Sequence, residues 1–113
     1  MHTVHYPRVA DPTNGYIAAA VGIMFSVNDY NAKLTWAEEK IIDNFFENIN
    51  MDTVGDKASA TPVDWVLYAD LLSLVNTDNR WVYRGSVTTP PCAQNVYWNV
   101  MTTVYPIKEK YVT

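Results

Sequence analysis

The chain has 113 residues, of which 49% are hydrophobic and 18% charged, with a net charge of −4 and a pI near 4.9. That composition suits one globular domain with a single core and excludes an intrinsically disordered chain; the acidic balance, with no run of Lys or Arg, argues against a nucleic-acid partner. The longest apolar run, residues 17–25, is far short of the ~20 residues a membrane-spanning helix needs, and neither end shows the basic, apolar and small-residue succession of a secretory leader.

His2 and His5 lie in a short apolar-rich stretch cut off by Pro7, which reads as a strand. Residues three apart on a strand point to opposite faces, so the two imidazoles do not bind one metal together, whereas Val4 shares the face of His2. His5 then reads as a structural histidine. Residues 6–15, with Pro7, Pro12 and Asn14-Gly15, have the turn chemistry of a loop. Residues 17–27 are a continuous run of small and β-branched side chains, suited to a strand buried on both faces. Ala18, Ala20 and Gly22 share one of those faces and leave space beside it.

Thr35-Trp36-Ala37-Glu38 has the spacing of a capping box. Behind it Ile41, Ile42, Phe45, Phe46 and Ile49 recur at helical period, predicting an amphipathic surface helix of about 15 residues. Glu38, Glu39, Lys40, Asp43, Asn44, Glu47 and Asn48 form its expected solvated side. Residues 50–62, rich in Gly, Asp, Ser and Thr, read as a flexible loop, and residues 63–74 as a short helix.

The most informative stretch is Tyr83-Arg84-Gly85-Ser86-Val87-Thr88-Thr89-Pro90-Pro91-Cys92. Two threonines sit between a Gly-Ser turn and a Pro-Pro pair, so their hydroxyls ride on backbone stiffened on its C-terminal side. Val96, Trp98 and Val100 then alternate with Asn95, Tyr97 and Asn99, the period of a strand with one apolar face. Residues 101–107 extend that strand and turn at Pro106; Lys108-Glu109-Lys110 reads as an exposed end. Taken alone, Thr-Thr-Pro-Pro is a loop between two strands.

The longer string, Tyr83 through Cys92 with Val96-x-Trp98 beyond it, closely resembles the signature of the α-class carbonic anhydrases. Met1-His2-Thr3-Val4-His5-Tyr6 resembles the family's strand that carries its last zinc-binding histidine, and Asn14-Gly15 with residues 17–27 resembles the strand that follows. Arg80 and Arg84 depart from the family's usual Tyr and Pro. The resemblance implies a mostly β fold with short helices (α+β), with residues 1–113 covering the middle and later part of the family's central mixed, largely antiparallel sheet.

It also implies chemistry. In this family three histidines hold Zn²⁺ tetrahedrally and leave the fourth position to water, whose pKa falls to about 7. His2 would be one ligand. Thr88 would accept a hydrogen bond from the zinc-bound hydroxide that attacks carbon dioxide, and its backbone N–H would meet a substrate oxygen as charge develops. Thr89 would contact bicarbonate, while Val4, Ala20, Val87, Val96 and Trp98 would form the apolar pocket. Family members often carry a residue larger than Ala20, so the pocket here would be wider.

The family's other two zinc histidines form a His-x-His pair on a preceding strand, and this chain has no histidine besides His2 and His5. Losing even a second-shell partner costs about 10- to 100-fold in metal affinity, so the 113 residues alone are expected to be inactive. The complete protein is expected to be a zinc-dependent carbonate dehydratase, a lyase acting on carbon dioxide and bicarbonate. The competing expectation is a catalytically inactive carbonic-anhydrase-related binding domain. Cys92 is either a free thiol or half of a bridge to a cysteine outside these residues. Extracellular family members carry Cys at this place, which implies a secreted or cell-surface parent.

Overall fold

A computed structural model describes residues 1–9, 13–51 and 62–112. The chain divides into two compact units, Met1–Met24 with Asn76–Thr103, and Phe25–Val75 with Val104–Thr113. Most of the expected 50–62 loop lies outside the described residues, as does the middle of the 6–15 loop.

The first unit holds a sheet. Its strands are β1 (His2–His5), β2 (Ala18–Ser26), β3 (Arg80–Ser86) and β4 (Gln94–Pro106), in the order β1-β2-β4-β3. β1 pairs antiparallel with β2, with His2 opposite Gly22 and Val4 opposite Ala20, and β3 pairs antiparallel with β4, with Tyr83 opposite Trp98. β2 and β4 run parallel: the Ile17 N–H donates to the Asn95 carbonyl, and Gly22, five residues on, faces Val100, five residues beyond Asn95. The sheet is thus mixed but mostly antiparallel, as the resemblance implies.

The long connection between β2 and β4 follows from that parallel pairing, which no tight turn can close. Central β2 buries Ala18, Ala20, Gly22 and Ile23. On the other face Ala19 and Val21 are only half-buried while Ile23 is buried, so the expected burial on both faces holds in part. β4 alternates as expected at its start and runs on to Pro106, as expected of residues 101–107.

Between β3 and β4 one residue is extra. Gly85 pairs with Val96 and Ser86 with Gln94, leaving Asn95 in a β-bulge with φ 70°. Asn tolerates this left-handed conformation better than most residues, and the bulge re-aims the strand entering the 87–93 loop. That loop is the Thr-Thr-Pro-Pro-Cys segment, and it is closed by Val87 N–H to the Ala93 carbonyl at 2.9 Å and Cys92 N–H to the Thr89 carbonyl at 2.8 Å.

The second unit is organised by α1 (Trp36–Asn48). Both halves of the capping box form: Glu38 N–H donates to Thr35 Oγ1 at 3.3 Å and Thr35 N–H to Glu38 Oε2 at 2.7 Å. The helix stops at Asn50, whose φ is 59°; its N–H donates to the Glu47 carbonyl and that of Met51 to the Phe46 carbonyl, a Schellman closure. Phe46 packs at 5.2 Å from both Phe25 and Phe45 and stacks on Tyr111 at 5.5 Å.

Asp43 corrects the expectation of a uniformly solvated acidic side. It is buried, pairs with Lys108, and its backbone carbonyl accepts from the Tyr111 hydroxyl at 3.3 Å. The partner that makes burial of this charge tolerable is 65 residues away in sequence. The lysines of the expected exposed end are exposed but not idle, since Lys110 pairs with Glu47 at 3.0 Å and residues Glu109–Tyr111 form a 3₁₀ turn. α2 spans only Tyr68–Leu74, shorter than the expected 63–74 helix. No side chain caps it from within; Asn48 Oδ1, at the end of α1, accepts the Leu67 N–H at 3.2 Å instead. Among the described residues no helix is long and apolar enough to cross a membrane.

Candidate functional site

The pairing register sets one row of side chains across the first unit's sheet. His2 and Val4 come from β1, Ala20 and Gly22 from β2, Val96, Trp98 and Val100 from β4, and Tyr83 and Gly85 from β3. Ala20, Val96 and Trp98 are buried at 0%, 1% and 8% exposure, with Val87 and Val100 packed against them. Ala20, small and fully buried, borders a hollow on this face.

That hollow is a cavity of about 40 Å³ lined by His2, Val4, Tyr6, Ala20, Val87, Thr88, Val96 and Trp98. By volume it has room for roughly two to four water-sized molecules. His2 stands on the edge strand, Thr88 on the hairpin loop, and the apolar floor lies on the two central strands. Residues 86 positions apart thus line one small space. A larger cavity of about 310 Å³ is centred on His5, Ala19 and Tyr97, whose side chains alternate along their strands with His2, Ala20 and Trp98; neither Thr88 nor Thr89 borders it.

Trp98 is fixed from several directions. Its Nε1–H donates to the Ser86 carbonyl at 3.0 Å, its ring lies nearly parallel to Tyr83, and the His2 imidazole meets it in a T-shaped contact with centroids 5.5 Å apart. Gly85 makes this packing possible, since a Cβ there would come within 2.8 Å of Trp98 Cδ1 and 2.9 Å of Tyr83 Cε2.

Of the residues singled out in the sequence, His2, Val4, Ala20, Val87, Thr88, Val96 and Trp98 are brought to this cavity. Thr89 is exposed beside it and is not among the lining residues; its carbonyl accepts the Cys92 N–H. His5 points away from the site face and hydrogen-bonds to Thr3 Oγ1 at 3.0 Å. Sequence reasoning missed Tyr6, which lies just past the end of β1 and borders both cavities, and missed Tyr83, Gly85 and Ser86 as the setting of Trp98. Cys92, the chain's one cysteine, is free and exposed, with φ 57°. No bridge forms within the chain.

As a metal centre the donor set is short. Among the described residues no group of three or more His, Cys, Asp or Glu side chains is placed to hold an ion, and the cavity lining contributes one imidazole and no carboxylate or thiol. Catalytic zinc requires about three protein ligands. The residues present do not by themselves fit the ion.

The cavity is thus small and mostly apolar, with His2 and Thr88 at its border. The family to which the chain belongs is shown by comparison: the sequence model of the eukaryotic-type carbonic anhydrases matches residues 1–113. The chain is a member of that family. It is 31% identical over 83 residues to carbonic anhydrase 6 of Canis lupus familiaris, a match covering 74% of this chain and 23% of the relative. Against carbonic anhydrase 6 of Homo sapiens it is 33% identical over 67 residues, covering 58% and 20%. The chain therefore spans about a quarter or less of these relatives' length.

The fold agrees. The α-carbonic anhydrase of Thermovibrio ammonificans, solved in complex with the inhibitor sulfanilamide, superposes with a TM-score of 0.56 at 22% identity, covering 98% of this chain and 41% of that one. A fungal α-carbonic anhydrase from Aspergillus oryzae gives 0.50 at 24% identity, covering 84% and 37%.

Proposed function

We propose that these 113 residues are one part of a zinc-dependent carbonic anhydrase domain, and that the complete protein is a carbonate dehydratase converting carbon dioxide and water to bicarbonate and a proton. The observation that carries this reading is the meeting of His2 and Thr88 at one small apolar cavity. Coverage of 41% and 37% of the two solved carbonic anhydrases supports assigning further parts of the domain to sequence beyond this stretch. In this reading His2 is one zinc ligand and the remaining ligands come from those further parts.

What these residues contribute is a surface for the substrate. Ala20, Val87, Val96 and Trp98 offer an apolar wall against which carbon dioxide rests without competing hydrogen bonds, and which keeps bulk water to the open side. Thr88 supplies a hydroxyl, which both donates and accepts, and a backbone N–H at the same border. Thr89, exposed next to it, serves bicarbonate on its way out. Val4, 43% exposed, flanks the opening from the edge strand.

A secreted or cell-surface parent, with Cys92 bridged to a cysteine of a further segment, is the compartment this reading takes; Cys92 is exposed and so open to such a partner. The deciding experiment measures zinc content and carbon dioxide hydration of the full-length protein and of the 113-residue chain. Stoichiometric zinc and activity in the first, with neither in the second, is the expected result. A full-length protein without zinc and without activity would favour the inactive binding domain instead.

A further inference from the structure

We propose that the outer edge of β3 is a self-association surface, on which a second copy of this chain adds its own β3 antiparallel across a two-fold axis at Trp81. The surface lies at the edge of the sheet opposite His2 and involves neither the cavity nor a metal.

β3 ends the order β1-β2-β4-β3, so one of its sides pairs with β4 and the other, among the described residues, pairs with no strand. The Thr102 N–H donates to the Asn79 carbonyl at 3.1 Å, in the same register that sets Arg80 opposite Met101. Backbone polar groups change sides from one residue of a strand to the next. Trp81 and Tyr83, like Asn79, therefore turn theirs toward β4, and Arg80, Val82 and Arg84 turn theirs outward. Such an open row is a template for another strand. The side chains along it favour burial too, since the consecutive residues Trp81, Val82 and Tyr83 are 58%, 46% and 50% exposed.

Charge then selects the partner and the register. Two copies centred on Val82 would set Arg80 opposite Arg84 on both sides of the axis, and like charges directly opposite destabilise a pair of strands. Centring on Tyr83 would set Trp81 against Gly85 and pair no charges. Centred on Trp81, the two indoles face each other and Asp78 stands opposite Arg84 twice. Asp78 is exposed two residues before β3, and among the described residues its carboxylate forms no ion pair. Arg84 is exposed and already held in place, its guanidinium 4.7 Å over the Tyr16 ring and 3.5 Å from Asn95 Oδ1. A guanidinium carries five N–H donors, so these contacts leave donors for a carboxylate. With the Trp81 backbone groups turned to β4, the indole pair falls at a non-hydrogen-bonded position, where facing side chains stand closest, and the two Arg80–Val82 pairs beside it exchange the ladder bonds. Because each copy uses the same surface, the assembly closes at two.

The test is sedimentation equilibrium of the chain across a concentration series, with circular dichroism to establish that each variant folds. A reversible monomer–dimer equilibrium is expected. Trp81→Lys, which sets two ammonium groups against each other on the axis, should abolish the dimer. Asp78→Arg and Arg84→Asp should each weaken it about tenfold or more, since the axis repeats every repulsive pair. The double variant Asp78→Arg/Arg84→Asp exchanges the charges and should restore it, an outcome that mere damage to the strand would not give. A dimer indifferent to Trp81→Lys, a double variant as weak as the single ones, or growth into larger assemblies would overturn the proposal. A chain monomeric through the millimolar range would overturn it as well, and would leave the edge to another segment of a longer polypeptide.

Discussion

Replacing Gly85 by alanine tests the packing on which the cavity depends. A Cβ at that position would stand 2.8 Å from Trp98 Cδ1, 2.9 Å from Tyr83 Cε2 and 3.2 Å from Trp98 Nε1. Carbon atoms rest comfortably at about 3.5 Å or more, so the indole would have to withdraw by roughly 0.7 Å. It has little room to do so, being 8% exposed against Ala20 at 0% and Val96 at 1%. Overpacking of this kind costs about 1–3 kcal/mol. Withdrawal also stretches the 3.0 Å hydrogen bond from Nε1 to the Ser86 carbonyl, and leaving that buried N–H unpaired adds about 1–3 kcal/mol.

A total of about 2–6 kcal/mol is expected, a large part of an ordinary domain's stability of about 5–15 kcal/mol. Urea unfolding of the chain and of Gly85→Ala, followed by tryptophan fluorescence, measures it, and the Trp98 indole N–H resonance reports the bond. A shift below about 0.5 kcal/mol, the usual size for an uninvolved surface site, together with an unmoved indole resonance, would refute the reasoning.

Three further outcomes follow from the second unit. Phe46→Ala should lower unfolding stability by about 3–5 kcal/mol in calorimetry or urea titration, because its ring sits among Phe25, Phe45 and Tyr111; a loss under 1 kcal/mol would contradict that packing. Thr35→Ala removes one half of the capping box and should cost about 0.5–2 kcal/mol, with faster amide exchange at Glu38 as the local sign. The Glu47–Lys110 pair should respond to pH at both ends. Its hydrogen bond to Lys110 holds the Glu47 carboxyl below its ordinary value of 4.5, and the same bond raises Lys110 from 10.5 to about 12. The contribution of Glu47 is therefore present above about 4.5 and is lost as pH falls through its lowered value, and that of Lys110 is present below about 10.5 and is lost as pH rises through about 12. Since both groups are half-exposed, the effect should shrink in high salt. Lys110→Met should return the Glu47 carboxyl titration, followed by NMR, toward its ordinary value; an unmoved titration would dissolve the pair.

What could be read from the sequence was local. The capping box of Thr35 and Glu38, the alternation from Val96 to Val100 and the loop between two strands all depend on residues within a few positions of one another. So did the separation of His2 from His5, which follows from strand geometry alone. The misreadings arose where a distant residue decided the outcome. Asp43 looked like one more solvated acid until Lys108 and Tyr111, far along the chain, enclosed it. The segment before Tyr68 had apolar residues at helical spacing, yet the N-terminus of α2 depends on Asn48 from another helix. The bulge at Asn95 and the slot at Gly85 left no periodic trace, because each is defined by what lies across the sheet rather than along the strand. The family motif supplied most of the cavity's lining in advance; Tyr6, past the end of β1, lay beyond the reach of strand alternation.

The most direct test of the account compares two histidines three residues apart. In the full-length protein, His2→Ala should abolish stoichiometric zinc and carbon dioxide hydration together, whereas His5→Ala, which removes only the hydrogen bond to Thr3 on the other face, should retain both. Full zinc occupancy and activity in His2→Ala, or zinc lost only with His5→Ala, would contradict it.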